Sequence, residues 1–421
     1  MALTSTNGVL RLTDANFSQS SLVLYTSPVS SSQGLKINFD FYAYGGTGAD
    51  GISFFLLDGS QAPTKSGGTG GSLGYAPLVR GETNEAGIAG GYLGIGFDEF
   101  GSFSGADEGR IGGIGVTPDA IAVRGSAATN YAYLAGTQTL PISLDNPGAG
   151  ATRANSRRQA QIDLTPNGLL SVQVDLNNDG DFLDAGELAI DSLNVVAVNG
   201  ALPSSFKFGF AASTGGSTNI HEIGNFSVKT AANADIPGRF SDLLVVGSDG
   251  DDQLVGGDTT DDIITGGAGK DTVTGGGGAD RFLFSGSTKA EALRTSTLRS
   301  LDQIKDFNFS EGDRFQLDFD NNLNTVERPR SLYNAGKQKG SLRKAVKSAY
   351  ADKFTQRRGN QALKANEAVF FTSGSRTYLS INDNKAAFSA QRDLLVDVTG
   401  IQFASGDAQR LGTLGRDRYF V

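Results

Sequence analysis

The sequence predicts a mainly β protein in three parts, and three observations carry that reading. Glycine reaches 58 of 421 residues, about twice an average usage of roughly 7%. It falls with Ser, Thr and Asn between short apolar runs, the composition of strands joined by tight turns. The first 230 residues alternate apolar and polar positions, as in Ile37, Phe39 and Phe41, the period of a half-buried strand. Between residues 248 and 284 the pattern changes to a glycine–aspartate repeat. The length allows two or three domains with real cores.

The totals exclude several chemistries. With no cysteine and one histidine, His221, disulfides, cysteine nucleophiles, thiolate zinc centres and multi-histidine metal sites are ruled out. No apolar run approaches the ~20 residues of a membrane span. The first twenty residues lack the basic and apolar regions of a cleaved export signal. The net charge of -9 is uneven: residues 328–364 hold eleven Lys or Arg and one acid, Asp352, which leaves the remainder near -19. Nucleic-acid binders are more often basic overall, so no nucleic-acid partner is expected. The basic run reads as a solvated helix face, or as a patch for an acidic polysaccharide or the acidic part of a neighbouring copy.

In the first half, "GLKINFDFYAY", "ADGISFFLLD", "GYLGIGFD", "IAVRG", "LLSVQVDL", "FKFGFAAS" and "NFSVKT" read as strands. That number suggests an antiparallel two-sheet sandwich. Within it, "DLNNDGDFLDAGE" sets Asp175, Asn177 and Asp179 alternately before Gly180, the ligand order of an EF-hand loop. Asp181, Asp184 and Glu187 are further oxygen donors, with the closing acid one position late. Because "LLSVQV" and "ELAIDSL" flank it as strands, the expectation is a calcium-clipped hairpin. The plainer reading is an Asn-Asp-Gly turn without metal.

Residues 248–284 devote eighteen of 37 positions to Gly and Asp, which destabilise ordinary helices and strands. Asp252, Asp262, Asp271 and Asp280 recur at intervals of ten, nine and nine, with Asp249 ahead of them. Two residues after each of the four comes an apolar one: Leu254, Ile264, Val273, Phe282. This is the nonapeptide of the parallel β-roll that binds calcium. Glycines allow φ > 0 and expose carbonyls at the turn, and aspartates supply hard oxygen ligands. The apolar residues point into a thin core. Without calcium the carboxylates repel, so several calcium ions should supply much of the folding energy.

In the last hundred residues "GSLRKAVKSAYADKF" has Leu342, Ala345, Val346, Ala349, Tyr350 and Phe354 at helical spacing, with basic residues opposite. "EAVFFTSGSRTYLSINDN" and "RDLLVDVTGIQF" read as strands around turns.

Three stretches of the first half resemble the L-type, legume-lectin-like jelly rolls: "GADGISFFLLD" (48–58), "GGYLGIGFDEFGSFS" (90–104) and "FGFAASTGGSTNIHEIGNFSV" (208–228). The resemblance implies a concanavalin-like jelly-roll sandwich that binds carbohydrate. It implies a sugar-hydroxyl acceptor at Asp50, preceded by Ala49, with Gly91, Ser102, Thr214, Gly215 and Gly216 on the sugar side. It also implies calcium at Asp98, with the Phe100 carbonyl, Ser102 and either Asp107 or Glu108. Gly96 stands where the family places a Glu for a second metal, and Ser102 where it places an Asn.

The glycine–aspartate repeats resemble the RTX family, whose members leave bacteria by type I secretion with an uncleaved C-terminal signal. "LDQIKDFNFSEGDRFQL" (301–317) is similar to the segment that closes RTX rolls, with Asp302, Asp306 and Asp313 in its pattern. The final "RDRYFV" is similar to one class of RTX export signal. Roughly residues 285–421 resemble the C-terminal domain of cyanobacterial surface proteins, associated with export and display.

The expected order is therefore a sandwich over 1–230, a linker over 231–246, a short RTX β-roll with its closing segment over 247–320, and a small α+β export or display domain over 321–421. The expected function is an exported, calcium-binding cell-surface protein that binds a glycan or polysaccharide. The alternative is a structural protein that self-associates into a surface layer or matrix. A glycan hydrolase ranks third, and no enzyme activity is expected. "GGSLG" (70–74) matches G-x-S-x-G without a strand-to-helix elbow, and His221 reads as structural. Asp98 and Glu99 are adjacent and so point to opposite faces, which does not make a carboxylate pair.

Overall fold

Alternation builds the first half as the sequence predicts. Leu35, Ile37, Phe39 and Phe41 on strand Leu35–Tyr44, and Ala160, Ile162 and Leu164 on strand Arg157–Leu164, all turn inward and are buried. The computed structural model describes residues 9–236, 242–247, 250–257, 260–323 and 325–421. Asp249, one of the expected calcium ligands, lies outside them. The chain divides into two units, Met1–Leu244 and Val245–Val421.

The first unit is two antiparallel sheets. One runs in the order Val9–Thr13, Ile220–Lys229, Leu35–Tyr44, Arg157–Leu164, Leu169–Asp175, Leu188–Asn194. The other runs Tyr133–Gly136, Ala120–Arg124, Gly91–Asp98, Gly51–Asp58, Ser205–Ser213, Ser20–Tyr25. Their inner faces meet in an aromatic core. Phe39 of the first sheet lies 6.1, 5.5 and 4.9 Å from the rings of Phe54, Phe97 and Phe210 of the second. Pairing of Gly51 with Asp98 sets the register that brings the Asp50 and Asp98 corners together.

In the second unit short strands pair in parallel with the strand two turns on. Gln253–Val255 pairs with Thr272–Thr274, and that strand with Gln303–Ile304. Ile263–Thr265 pairs with Arg281–Ser285, and that strand with Arg314–Asp318. Leu254, Ile264, Val273 and Phe282 are all buried, so the apolar residue of every repeat turns inward. The stack from Gln303–Ile304 continues into Leu394–Asp397, Arg376–Ile381, Ala368–Ser373, Leu332–Gln338 and Gly412–Leu414 in one sheet. Helix Leu342–Ala351 covers part of that sheet with Ala345, Val346, Ala349 and Tyr350. Tyr419 and Phe420, in the segment expected to resemble an export signal, are buried. Among the described residues no helix is long and apolar enough to cross a membrane.

Candidate functional sites

The Asp50 corner is assembled from four loops. The Ala49–Asp50 peptide is cis, and the Asp50 main chain donates to the Ser213 carbonyl at 3.0 Å. Its own carbonyl accepts from Glu99 N at 3.1 Å and Phe100 N at 3.3 Å. The side chain is 7% exposed, and its Oδ2 is buried with no hydrogen-bond partner. Burial pushes this carboxyl up to about 7, with the neighbouring Glu99 acting in the same direction. A Cβ added at Gly215 would lie 2.9 Å from Asp50 Oδ2, and one at Gly70 3.9 Å away. Bare backbone therefore surrounds the unpartnered oxygen. Gly216 has open space around it, whereas the Thr214 hydroxyl is used internally, donating to Asn16 O at 2.6 Å and accepting from Gln19 N.

The turn Gly70–Ser72 joins this corner without having been read from the sequence as part of it. Ser213 Oγ donates to Gly70 O at 2.5 Å, and a Cβ at Gly71 would fall 2.2 Å from Ser102 Cβ. One turn thus touches both the Asp50 and the Ser102 segments. Ser72, the serine of "GGSLG", donates to Pro77 O and accepts from Arg110 Nη1, each at 2.7 Å. His221 is bonded to Glu99 at 3.0 Å and Thr13 at 2.6 Å. Gly91 is a correction. It pairs with Leu57, at the other end of the strand from Asp98, a run of about 20 Å at strand rise. The side chains of Tyr131, Ile88 and Tyr75 fill the space a Cβ there would need. It serves packing.

Asp98 is fully buried and accepts from Gly101 N at 2.8 Å, Ser104 N at 2.9 Å and Ser104 Oγ at 3.1 Å. Burial raises it to about 7 against those bonds. Asp107 and Glu108 both turn to the buried Arg110, at 3.0 and 3.2 Å. Phe100, the expected carbonyl donor, leaves its residue 46% exposed. Arg124 is wholly buried and ties this loop down, donating to the carbonyls of Phe103, Gly105 and Tyr131. An arginine inside the apolar run "IAVRG" was the signal for that role.

The Asp175–Glu187 loop winds inward. Asp175 accepts from Asp179 N and Gly180 N at 3.2 and 3.0 Å, and Glu187 accepts from Leu176 N and Asp184 N at 2.9 and 3.0 Å. The Asn177 amide bridges Asp179 and Asp184 at 2.9 and 2.6 Å. Asp181 accepts from Leu183 N and is exposed. Asp175 and Glu187 are buried, so both ends of the loop present oxygen inward.

Along the repeats and their closing segment, four aspartates accept the backbone N–H of the aspartate two turns earlier. Asp271 receives Asp252 N at 3.0 Å, Asp280 receives Asp262 N at 2.9 Å, Asp302 receives Asp271 N at 3.0 Å and Asp313 receives Asp280 N at 2.9 Å. Asp262 Oδ2 accepts from Gly257 N and Thr260 Oγ1. The second oxygens of Asp271 and Asp280 are buried with no partner. Burial, with repulsion from neighbouring aspartates, raises these two to about 7 and about 8. Cβ atoms at Gly266 and Gly275 would lie 2.1 and 2.3 Å from those oxygens. Buried unpaired oxygens against bare backbone are the donor set a hard divalent cation takes, so these residues fit calcium.

Among the described residues, one group of three carboxylates converges within 4.8 Å: Asp318, Asp320 and Glu327. No sequence-predicted ligand belongs to it.

No protein-family model and no curated protein matches the chain. Solved structures similar to it include the exoplasmic/lumenal domain of VIP36 in a Ca2+/Man3GlcNAc-bound form, at 18% identity and TM-score 0.33, over 54% of this chain and 82% of that one. The metal-free lectin I-B4 of Griffonia simplicifolia matches at 17% identity and TM-score 0.34, over 54% and 90%. Lectin II of Ulex europaeus matches at 17% and 0.36, over 54% and 88%.

Proposed function

We propose that this chain is a calcium-dependent carbohydrate-binding protein that works outside the cell, reached by type I export. The observation that carries the sugar reading is the buried, unpartnered Oδ2 of Asp50, set against the bare backbone of Gly70 and Gly215. A buried acceptor left without a donor costs about 1–3 kcal/mol, and a ligand hydroxyl would supply that donor. Phe100 stands beside it, its N–H on the Asp50 carbonyl and the residue 46% exposed. A sugar ring offers both hydroxyls and an apolar face, which matches a polar group flanked by an aromatic. Calcium belongs, in this reading, with Asp252, Asp262, Asp271 and Asp280 of the repeats and with the inward oxygens of the Asp175–Glu187 loop. At Asp98 an ion would share the carboxylate with the Gly101 and Ser104 donors.

The test is a glycan array with the full chain in calcium, repeated with Asp50→Asn. Calcium-dependent signal that the substitution abolishes is the expected result. A blank array from folded protein would favour the second reading, a self-assembling surface protein. The exposed Arg343, Lys344 and Lys347 on helix Leu342–Ala351 support that one, as a basic face for acidic parts of a neighbouring copy.

A further inference from the structure

We infer that Asp318, Asp320 and Glu327 together hold a hard divalent cation, calcium by the type of its donors, at a site separate from the repeats and from the Asp175–Glu187 loop. The strand Arg314–Asp318 ends at Asp318. The chain then reverses through Asn321, whose φ is 55°, and returns so that Glu327 bridges antiparallel to Leu317. Residues nine apart in sequence are thereby made neighbours. Asp318, Asp320 and Glu327 each bring a carboxylate oxygen within 4.8 Å of the others.

Thr325 Oγ1 lies 3.0 Å from Asp320 Oδ1 and 3.2 Å from Glu327, but its one proton serves one carboxylate at a time, so the crowding stays unfavourable and burial makes it worse. Asp318 is wholly buried. Its Oδ1 accepts from Asp320 N and Asn322 N, each at 3.1 Å, while Oδ2 is buried with no partner. Among the described residues no lysine or arginine pairs with any of the three acids. A cation there would meet the unpaired oxygen and offset the repulsion among the three carboxylates. All three donors are carboxylate oxygens, the ligand type calcium takes. The competing account is a proton shared between Asp318 and Asp320, with no metal.

Counting ions separates the two. Equilibrium dialysis of the full chain against about 1 mM calcium, the upper range for extracellular calcium modules, is compared with the double variant Asp320→Asn, Glu327→Gln. The expected result is one calcium fewer per chain with an unchanged circular dichroism spectrum. Equal counts would overturn the site. Should the double variant unfold, Asp320→Asn alone decides, since that side chain is exposed. A loss of about tenfold or more in the affinity of one ion supports the site, and unchanged affinities overturn it. The difference of one is read whatever the glycan array shows and however many ions the repeats take.

Discussion

Buried acids in the two units keep different company. In the sandwich, Glu222 is met by Arg11 at 2.9 Å and Arg153 at 2.6 Å, and Asp40 by Arg157 at 2.8 Å. Glu99 has His221 and Asn219. In the repeats, Asp271, Asp280, Asp302 and Asp313 have backbone N–H groups and one another, and among the described residues no lysine or arginine pairs with them. The cores differ in the same sense. Phe39 and Phe41 of one sandwich sheet interleave with Phe54, Phe97 and Phe210 of the other, whereas each repeat contributes one apolar residue. The acids of the sandwich core thus find cations or amides within the unit, whereas Asp98, Asp175 and Glu187 at its loops have only backbone and hydroxyl donors, as the repeats do. The repeats hold charge that their residues do not neutralise, unlike Glu367, Asp397 and Asp407 of the same unit, which meet Lys353, Arg376 and Arg418; unneutralised buried charge is the physical signature of a fold coupled to metal.

The largest expected effect breaks that comparison if it fails. In chelator, amides at Leu254, Ile264, Val273 and Phe282 should lose nearly all hydrogen-exchange protection, and calcium should restore it. Amides at Phe39 and Phe54 should stay protected throughout. Protection at the repeats that ignores chelator would mean the aspartates are content without metal. Next in size is the sandwich core. Phe39 is fully buried among Phe54, Phe97 and Phe210, so Phe39→Ala should cost about 3–5 kcal/mol. Calorimetry should find that loss in the first unit's transition, equal with and without calcium. A calcium-dependent loss would show that the aromatic core leans on the proposed ions at Asp98 and the Asp175–Glu187 loop.

What the sequence disclosed follows the same division. Strands such as Leu35–Tyr44, Gly51–Asp58 and Leu169–Asp175 were legible because one face is buried and period two survives. Arg157–Leu164 was not, since "RRQAQIDL" begins with two arginines that find carboxylates and carbonyls rather than water. Asp50 was legible through its motif. The Gly70–Ser72 turn was not, because its approach to Asp50 and Ser102, and the bond from Arg110 to Ser72, exist only after loops far apart in sequence meet. Gly91 was misplaced for the complementary reason: nearness in a motif ignores that eight strand residues carry the chain from one end of the sandwich to the other. The Asp318 cluster escaped because its third member returns through an antiparallel bridge that no periodicity announces.

Asp50 is the exception that sharpens the comparison, an acid in the first unit with an oxygen left over. Its burial raises the carboxyl from 3.8 to about 7. When the folded value lies above the unfolded one, the group's contribution to stability is fully present below the unfolded pKa and is lost as pH rises through the folded value. The wild-type chain should therefore lose stability from this group between about pH 4 and pH 7, while Asp50→Asn, which carries no charge, should not. Thermal melts in saturating calcium should show the variant gaining on the wild type from pH 5 to pH 8 by about 5–10 °C, the shift expected for roughly 2–3 kcal/mol in a unit of this size. The same substitution should remove glycan binding, so the two properties would move in opposite directions, as they do where a site is kept at the expense of stability. A melting difference that does not change with pH would mean that the charge on Asp50 finds a partner, and the case for a waiting ligand hydroxyl would go with it.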